Sequence, residues 1–248
     1  MDSNSLGDKM EAANKTQDNK YVDNWQEYIS KPINPTWTEK IDLGNGIWCY
    51  RNVLPKGNEI PDRLEAILND PGNQYSWMPA FVGYQERMPD YRDCVDFKFK
   101  KTDIVDPTEP GQKLRDIWQE CYDPQAEAVR DYCRMYNIHN LRYWEAFNFI
   151  RYTPGNHFME HHDHGYSYNC TLSAVGYFND DYEGGELYFR LQGLDVKPQA
   201  GDLYLFPSTF MYPHQAKVVH SGTKYAIVTM LDYSEKYHTP EMFVETGN

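Results

Sequence analysis

From position 143 the chain reads YWEAFNFIRY (143–152), TPGN (153–156), HFMEHHD (157–163), CTLSAVGYF (170–178) and NDDYEGG (179–185). ELYFRL (186–191), QAGD (199–202), LYLFP (203–207) and KYAIVTML (224–231) follow. The apolar runs are short and rich in aromatic and β-branched residues. Gly, Pro, Asn and Asp close them, because these residues take up turn conformations at little cost. Short strands at close intervals predict an antiparallel sandwich or jelly roll over about 141–233; parallel strands would need long crossovers between them.

Toward the N-terminus the texture is mixed. Gly46–Tyr50 reads as a strand, and Asp96–Lys100 alternates like a half-exposed one. A helix is predicted near Ile60–Leu68, stopped by Asn69-Asp70-Pro71-Gly72. From Lys113, Leu114, Ile117, Trp118 and Cys121 recur at helical spacing, and a second run continues through Ala126, Val129, Tyr132, Cys133 and Tyr136. The organisation is therefore a polar tail over 1–20 and one α+β, mainly β, domain over 21–248. In that domain a helical and mixed support over about 40–140 buttresses the β core.

Composition narrows the function. Lys plus Arg is 24 against 37 Asp plus Glu, a formal charge of −13, which repels phosphate backbones and excludes a nucleic-acid grip. No apolar run reaches the roughly 20 residues of a membrane span. The N-terminus lacks the apolar centre of a secretory signal, and five cysteines without CxxC spacing read as reduced thiols, so a cytoplasmic location is expected.

Three of the eight histidines fall in His161-His162-Asp163-His164. In a strand, residues i and i+2 share a face, so His161 and Asp163 point together and His162 points away. One imidazole and one carboxylate are two-thirds of the facial triad that binds Fe(II) with open positions. A third ligand must come from a later strand, and His214 is the candidate. Two neutral imidazoles and a carboxylate leave Fe(II) at a net positive charge that invites an anion. Lys224 opens an otherwise apolar strand, where a lysine is rarely buried without an anionic partner.

With these residues in place the sequence resembles the prolyl 4-hydroxylase-like Fe(II)/2-oxoglutarate-dependent dioxygenases. Glu145-x-x-Asn148-Phe149-x-Arg151-Tyr152-x-Pro154-Gly155 is similar to that family's E-x-x-Q-V-x-R-Y-x-x-G segment, and Phe158-x-x-His161-His162-Asp163 to its aromatic-x-x-H-H-D. Tyr177-Phe178-Asn179-Asp180 with Gly184-Gly185-Glu186 resembles its Y-L-N-D…G-G-E hairpin. Val196-x-Pro198-x-x-Gly201-Asp202-Leu203-x-Leu205-Phe206, then His214, Val219, Gly222 and Lys224-Tyr225, resemble its closing strands. Asn148 stands for the family's Gln, Leu187 for a Thr, Ala226 for a Ser and Met230 for a Trp, all outside the ligand set.

The resemblance implies a double-stranded β-helix with iron at one mouth, held by His161, Asp163 and His214. It implies that Lys224 binds the distal carboxylate of 2-oxoglutarate, helped by Tyr152 or Tyr177 and by Ser173. The cofactors implied are Fe(II), 2-oxoglutarate and O2, with ascorbate alongside. The activity implied is hydroxylation of an unactivated C–H bond, in a prolyl residue of a peptide or protein substrate, with release of succinate and CO2. Segments 73–110 and 164–170 are the expected substrate-covering loops, and NDDYEGGE is expected to be a solvated turn. Two other readings remain: a hydroxylase of a free amino acid or small metabolite, and a non-catalytic jelly-roll binding module that retains a metal. Oligomeric state is not legible.

Overall fold

The computed structural model describes residues 25–57, 59–83, 86–139, 141–165, 169–233 and 243–245. The predicted polar tail, 1–20, lies outside them. The support region forms α1 (residues 25–30), β1 (Glu39–Asp42), β2 (Trp48–Arg51), α2 (Glu59–Leu68), β3 (Met78–Pro79), β4 (Arg92–Asp93), β5 (Val95–Phe99), α3 (Lys101–Ile104) and α4 (Glu109–Met135). The core continues with β6 (Tyr143–Glu145), β7 (Phe147–Tyr152), β8 (His157–His161), β9 (Leu172–Tyr177), β10 (Glu183–Gly184) and β11 (Leu187–Phe189). After these come β12 (Leu194–Val196), β13 (Leu203–Pro207), β14 (His214–Ala216), β15 (Val219–Ser221), β16 (Lys224–Asp232) and β17 (Phe243–Glu245).

A ten-stranded sheet runs β1-β2-β13-β9-β16-β7-β5-β3, with β6 beside β16 and β17 beside β6. A five-stranded sheet runs β12-β11-β14-β8-β4, and β10 pairs with β15. The chain is a jelly roll, mainly β. The support region is mixed, with α2 and α4 beside strands: β1 and β2 extend one side of the large sheet and β5 and β3 the other. Added strands cover backbone groups that an open edge would leave unpaired.

Alternation sorts the large sheet into two buried faces. Phe147 and Phe149 of β7, Leu172 and Ala174 of β9, Leu203 and Leu205 of β13, and Ile227 of β16 pack against α2 and α4. The helices answer with Ile60, Leu64, Leu114, Ile117, Trp118 and Cys121. The residues in between, Ile150 and Tyr152, Val175 and Tyr177, Ala226 and Val228, face the interior between the sheets. β9 is therefore buried at every position, as a strand covered on both faces must be.

Helix α4 is longer than its apolar spacing showed. It starts at Glu109 because the Thr108 hydroxyl accepts from the Gly111 amide, and Pro110 sits where a missing N–H costs nothing. It runs through Pro124, which removes one backbone donor; the buried stripe from Leu114 to Cys133 holds both halves on the sheet. All five cysteines are buried and free. No helix among the described residues is long and apolar enough to cross a membrane.

Gly176 in β9 tests this packing. A Cβ there would lie 2.3 Å from Leu54 Cδ1 and 3.0 Å from Ile227 Cγ2. Gly176→Val is expected to lower unfolding stability by about 1–3 kcal/mol through overpacking, read as an earlier midpoint in urea.

Candidate active site

The space between the sheets is a cavity of about 390 Å³. β7, β9 and β16 supply one wall and β8, β11 and β14 the other, while Phe81–Gly83, Tyr91 and Arg92 border it from the predicted loop segment 73–110. Of the second expected loop, 164–170, residues 166–168 lie outside the described residues.

β8 and β14 are antiparallel neighbours in which His161 stands opposite His214. Asp163 follows two residues after the end of β8. The three side chains offer ligand atoms within 4.8 Å of one another. Asp163 Oδ1 is 3.6 Å from His161 Nε2, and Asp163 Oδ2 is 3.9 Å from His214 Nε2. Each imidazole is turned by its other nitrogen: His161 Nδ1 lies 2.8 Å from Met159 O and His214 Nδ1 3.1 Å from Tyr212 O. A proton on Nδ1 donates to that carbonyl and leaves the Nε2 lone pair facing the shared centre. Burial, reinforced by the His214 ring, pushes the His161 pKa down to about 3, so the imidazole stays neutral, as a ligand must.

A β-bulge aims the ring beside this centre. Ala216 pairs with Phe158 while His214 pairs with His161, so three steps on β8 match two on β14. The extra residue breaks strict alternation and brings both Phe158 and His161 to the cavity. Their rings stack at 3.6 Å between centroids, and Arg92 covers the Phe158 ring at 4.8 Å. The other two histidines of the 161–164 run bond elsewhere. His162 is exposed at the cavity rim with Nδ1 2.6 Å from His164 O, and His164 Nδ1 lies 2.8 Å from Cys170 O.

Lys224 opens β16 directly opposite Tyr152 of β7 and is 1% exposed. Its ammonium donates to Gly185 O at 2.7 Å and lies 5.1 and 5.0 Å from the Tyr152 and Tyr177 ring centroids. No carboxylate among the described residues pairs with it. Burial pulls its pKa down from 10.5 to about 7. A buried lysine with one carbonyl acceptor among tyrosine rings has donor hydrogens that an anion can take up. Ala226, Val228 and Met230 continue the same face of β16 along the cavity.

Ser173 is placed differently from the expectation that it touches the cosubstrate. It shares its face with Val175 and Tyr177 but does not line the cavity. Its hydroxyl donates to Asp163 Oδ2 at 2.5 Å and lies 2.7 Å from Ser208 Oγ. The NDDYEGGE turn also departs from a plain solvated loop. Asp180, Asp181 and Glu183 are exposed, yet Tyr182 is buried with Lys197 Nζ 3.7 Å above its ring. Gly185, at φ +65°, brings its carbonyl to Lys224; a Cβ there would meet Lys224 Cδ at 3.1 Å. The pair of glycines was the available signal for that close approach. Arg92 left no such signal, since only the pairing of β4 with β8 brings it to the cavity.

Residues 147–231 match the family profile described as 2OG-Fe(II) oxygenase superfamily. No curated protein sequence matches the chain. Among solved structures, a prolyl hydroxylase from Trichoplax adhaerens, in complex with a hypoxia inducible factor oxygen degradation domain peptide fragment, aligns with a TM-score of 0.57 at 16% identity. The alignment covers 95% of this chain and 96% of that one. The viral collagen prolyl hydroxylase of Paramecium Bursaria Chlorella virus-1 aligns at 0.51 and 16%, covering 76% and 96%. A Pseudomonas putida prolyl-4-hydroxylase aligns at 0.51 and 23%, covering 75% and 91%. At these identities the likeness is one of fold. The profile covers both histidines, Asp163 and Lys224, so the segment that carries them, 147–231, is similar to the 2OG-Fe(II) oxygenase superfamily, and the fold is prolyl hydroxylase-like.

Proposed function

We propose that the protein is an Fe(II)- and 2-oxoglutarate-dependent dioxygenase that hydroxylates a prolyl residue in a peptide or protein. The observation that carries the reading is the pairing of two sites in one cavity: His161, Asp163 and His214 converging on a point, and a buried ammonium at Lys224 with no carboxylate ion pair among the described residues. The donor set, two imidazole nitrogens and one carboxylate oxygen beside the cavity, fits ferrous iron. The Lys224 pocket fits the distal carboxylate of a 2-oxo diacid. A structural metal needs no such anchor, which weighs against a non-catalytic binding module.

When bound, iron and 2-oxoglutarate supply the oxidation: O2 delivers one oxygen to succinate and one to the substrate as hydroxyl, with loss of CO2. The protein's part is placement. His161, Asp163 and His214 would hold the metal at the cavity. Lys224 neutralises and orients the far end of the cosubstrate, with the Tyr152 and Tyr177 rings closing over its ammonium. Ile150, Val175, Leu187, Ala226 and Val228 keep water from the reacting centre.

For the substrate, the aromatic border of Phe81 and Tyr91 suits stacking against a pyrrolidine ring. The Trichoplax neighbour holds a peptide fragment. A panel of proline-containing peptides, run beside free proline and free lysine with Fe(II), 2-oxoglutarate and ascorbate, tests this by mass spectrometry. A peptide product heavier by one oxygen at proline is expected. Oxygen gained only by a free amino acid would overturn the peptide assignment and leave the cofactor chemistry standing.

A further inference from the structure

Asp163 sits on a bend past the end of β8, outside the strand pairing that fixes both histidines. Something else must hold its carboxylate. Ser173, in β9 at the heart of the large sheet, reaches it, and Ser208, one residue past β13, backs Ser173; they are 0% and 1% exposed. Ser208 O accepts from the His164 amide at 3.0 Å, and Ser208 N donates to Thr171 O at 3.1 Å, so Ser208 also pins the residue after Asp163.

The protons in this chain can run only one way. A carboxylate has no proton to give, so Ser173 donates to Asp163 Oδ2. With its single proton committed there, Ser173 Oγ accepts from Ser208 Oγ. Each hydroxyl polarises the next, which strengthens the bond to Oδ2 in this buried setting. Oδ2 thereby carries one hydrogen bond, and Oδ1, free of these hydroxyls, lies 3.6 Å from His161 Nε2.

We propose that Ser173 and Ser208 are positioning residues: a hydroxyl relay that fixes the orientation of the Asp163 carboxylate toward the metal position. This rests on the metal reading of the site and departs from the cosubstrate role that sequence resemblance gives Ser173. The two roles separate experimentally. Mn(II) affinity is measured by electron paramagnetic resonance on the full chain, with 2-oxoglutarate affinity at saturating metal and the thermal midpoint of the metal-free protein.

Ser173→Ala is expected to weaken Mn(II) binding by about 10–100-fold, the usual cost of losing an outer partner of a ligand. Ser208→Ala shifts it in the same direction by less, and Ser173→Thr, which keeps the hydroxyl, restores wild-type affinity. Cosubstrate affinity at saturating metal and the metal-free midpoints stay near wild type. Wild-type Mn(II) affinity in Ser173→Ala, or a loss confined to 2-oxoglutarate, overturns the relay. If the wild-type chain itself binds no Mn(II), the metal reading falls and takes the relay with it, an outcome distinct from a defect seen only in the variants.

Discussion

Lys224→Met is expected to weaken 2-oxoglutarate binding on the order of 100-fold while leaving Mn(II) affinity unchanged. The ammonium has one acceptor, Gly185 O, and no carboxylate partner among the described residues. Its pairing with an incoming carboxylate would be a charge-assisted contact in a closed apolar site. Losing one partner of such a pair costs about 2–5 kcal/mol, and 1.4 kcal/mol is a factor of ten. The same substitution is expected to stabilise the cosubstrate-free protein, because it replaces a buried charge with an apolar chain of similar length.

The pH dependence has a definite sign. Burial lowers the Lys224 pKa from 10.5 to about 7 in the folded chain. Between these values the unfolded chain binds the proton and the folded chain does not, so stability of the cosubstrate-free protein rises with pH across that window. Below pH 7 both states carry the proton, and the cost of the buried charge is fully present. Lys224→Met abolishes this rise, measurable as a flattened midpoint-versus-pH curve. Wild-type affinity for 2-oxoglutarate runs oppositely and falls as pH climbs above 7, because the charged ammonium becomes scarce. Wild-type affinity in Lys224→Met, or cosubstrate binding indifferent to pH, would show that the carboxylate lies elsewhere.

What could be read in the sequence was what depends on neighbours along the chain. Ile150 and Tyr152, or Val175 and Tyr177, share a face because side chains alternate, and the structure lines the cavity with all four. The i, i+2 rule paired His161 with Asp163, but Asp163 reaches that place from a bend past the end of β8, and His162, which the rule sends away, also borders the cavity. The rule breaks at Phe158, which reaches the cavity three residues from His161 only because a bulge adds a residue to β8. Nothing local marks that bulge. Ser173 shows the same limit: its face was right, but its hydroxyl bonds with Ser208, which lies 35 positions later, and only the pairing of β9 with β13 brings the two together. The start of α4 at Glu109 was hidden because its first turn carries polar residues, and the cap at Thr108 does the work of apolar spacing.

Asp163→Ala is expected to reduce 2-oxoglutarate turnover to background and to lose Mn(II) at concentrations that saturate the wild type. Asp163 contributes the sole negative charge of the three converging groups; without it, two neutral imidazoles face a dication. The loss must exceed the roughly 10–100-fold that follows from disturbing an outer partner, since here the ligand itself is gone. His161→Ala should match it, as its Nε2 has no other task. Neither change should unfold the chain. The His161 and Asp163 side chains are 14% and 10% exposed at the cavity mouth, away from the cluster that joins α2 and α4 to the large sheet. Asp163→Asn sharpens the test, because it keeps the shape and discards the charge. If charge binds the metal, Asn fails as completely as Ala. Succinate release at the wild-type rate from any of the three variants would move the metal, and the chemistry with it, to other residues.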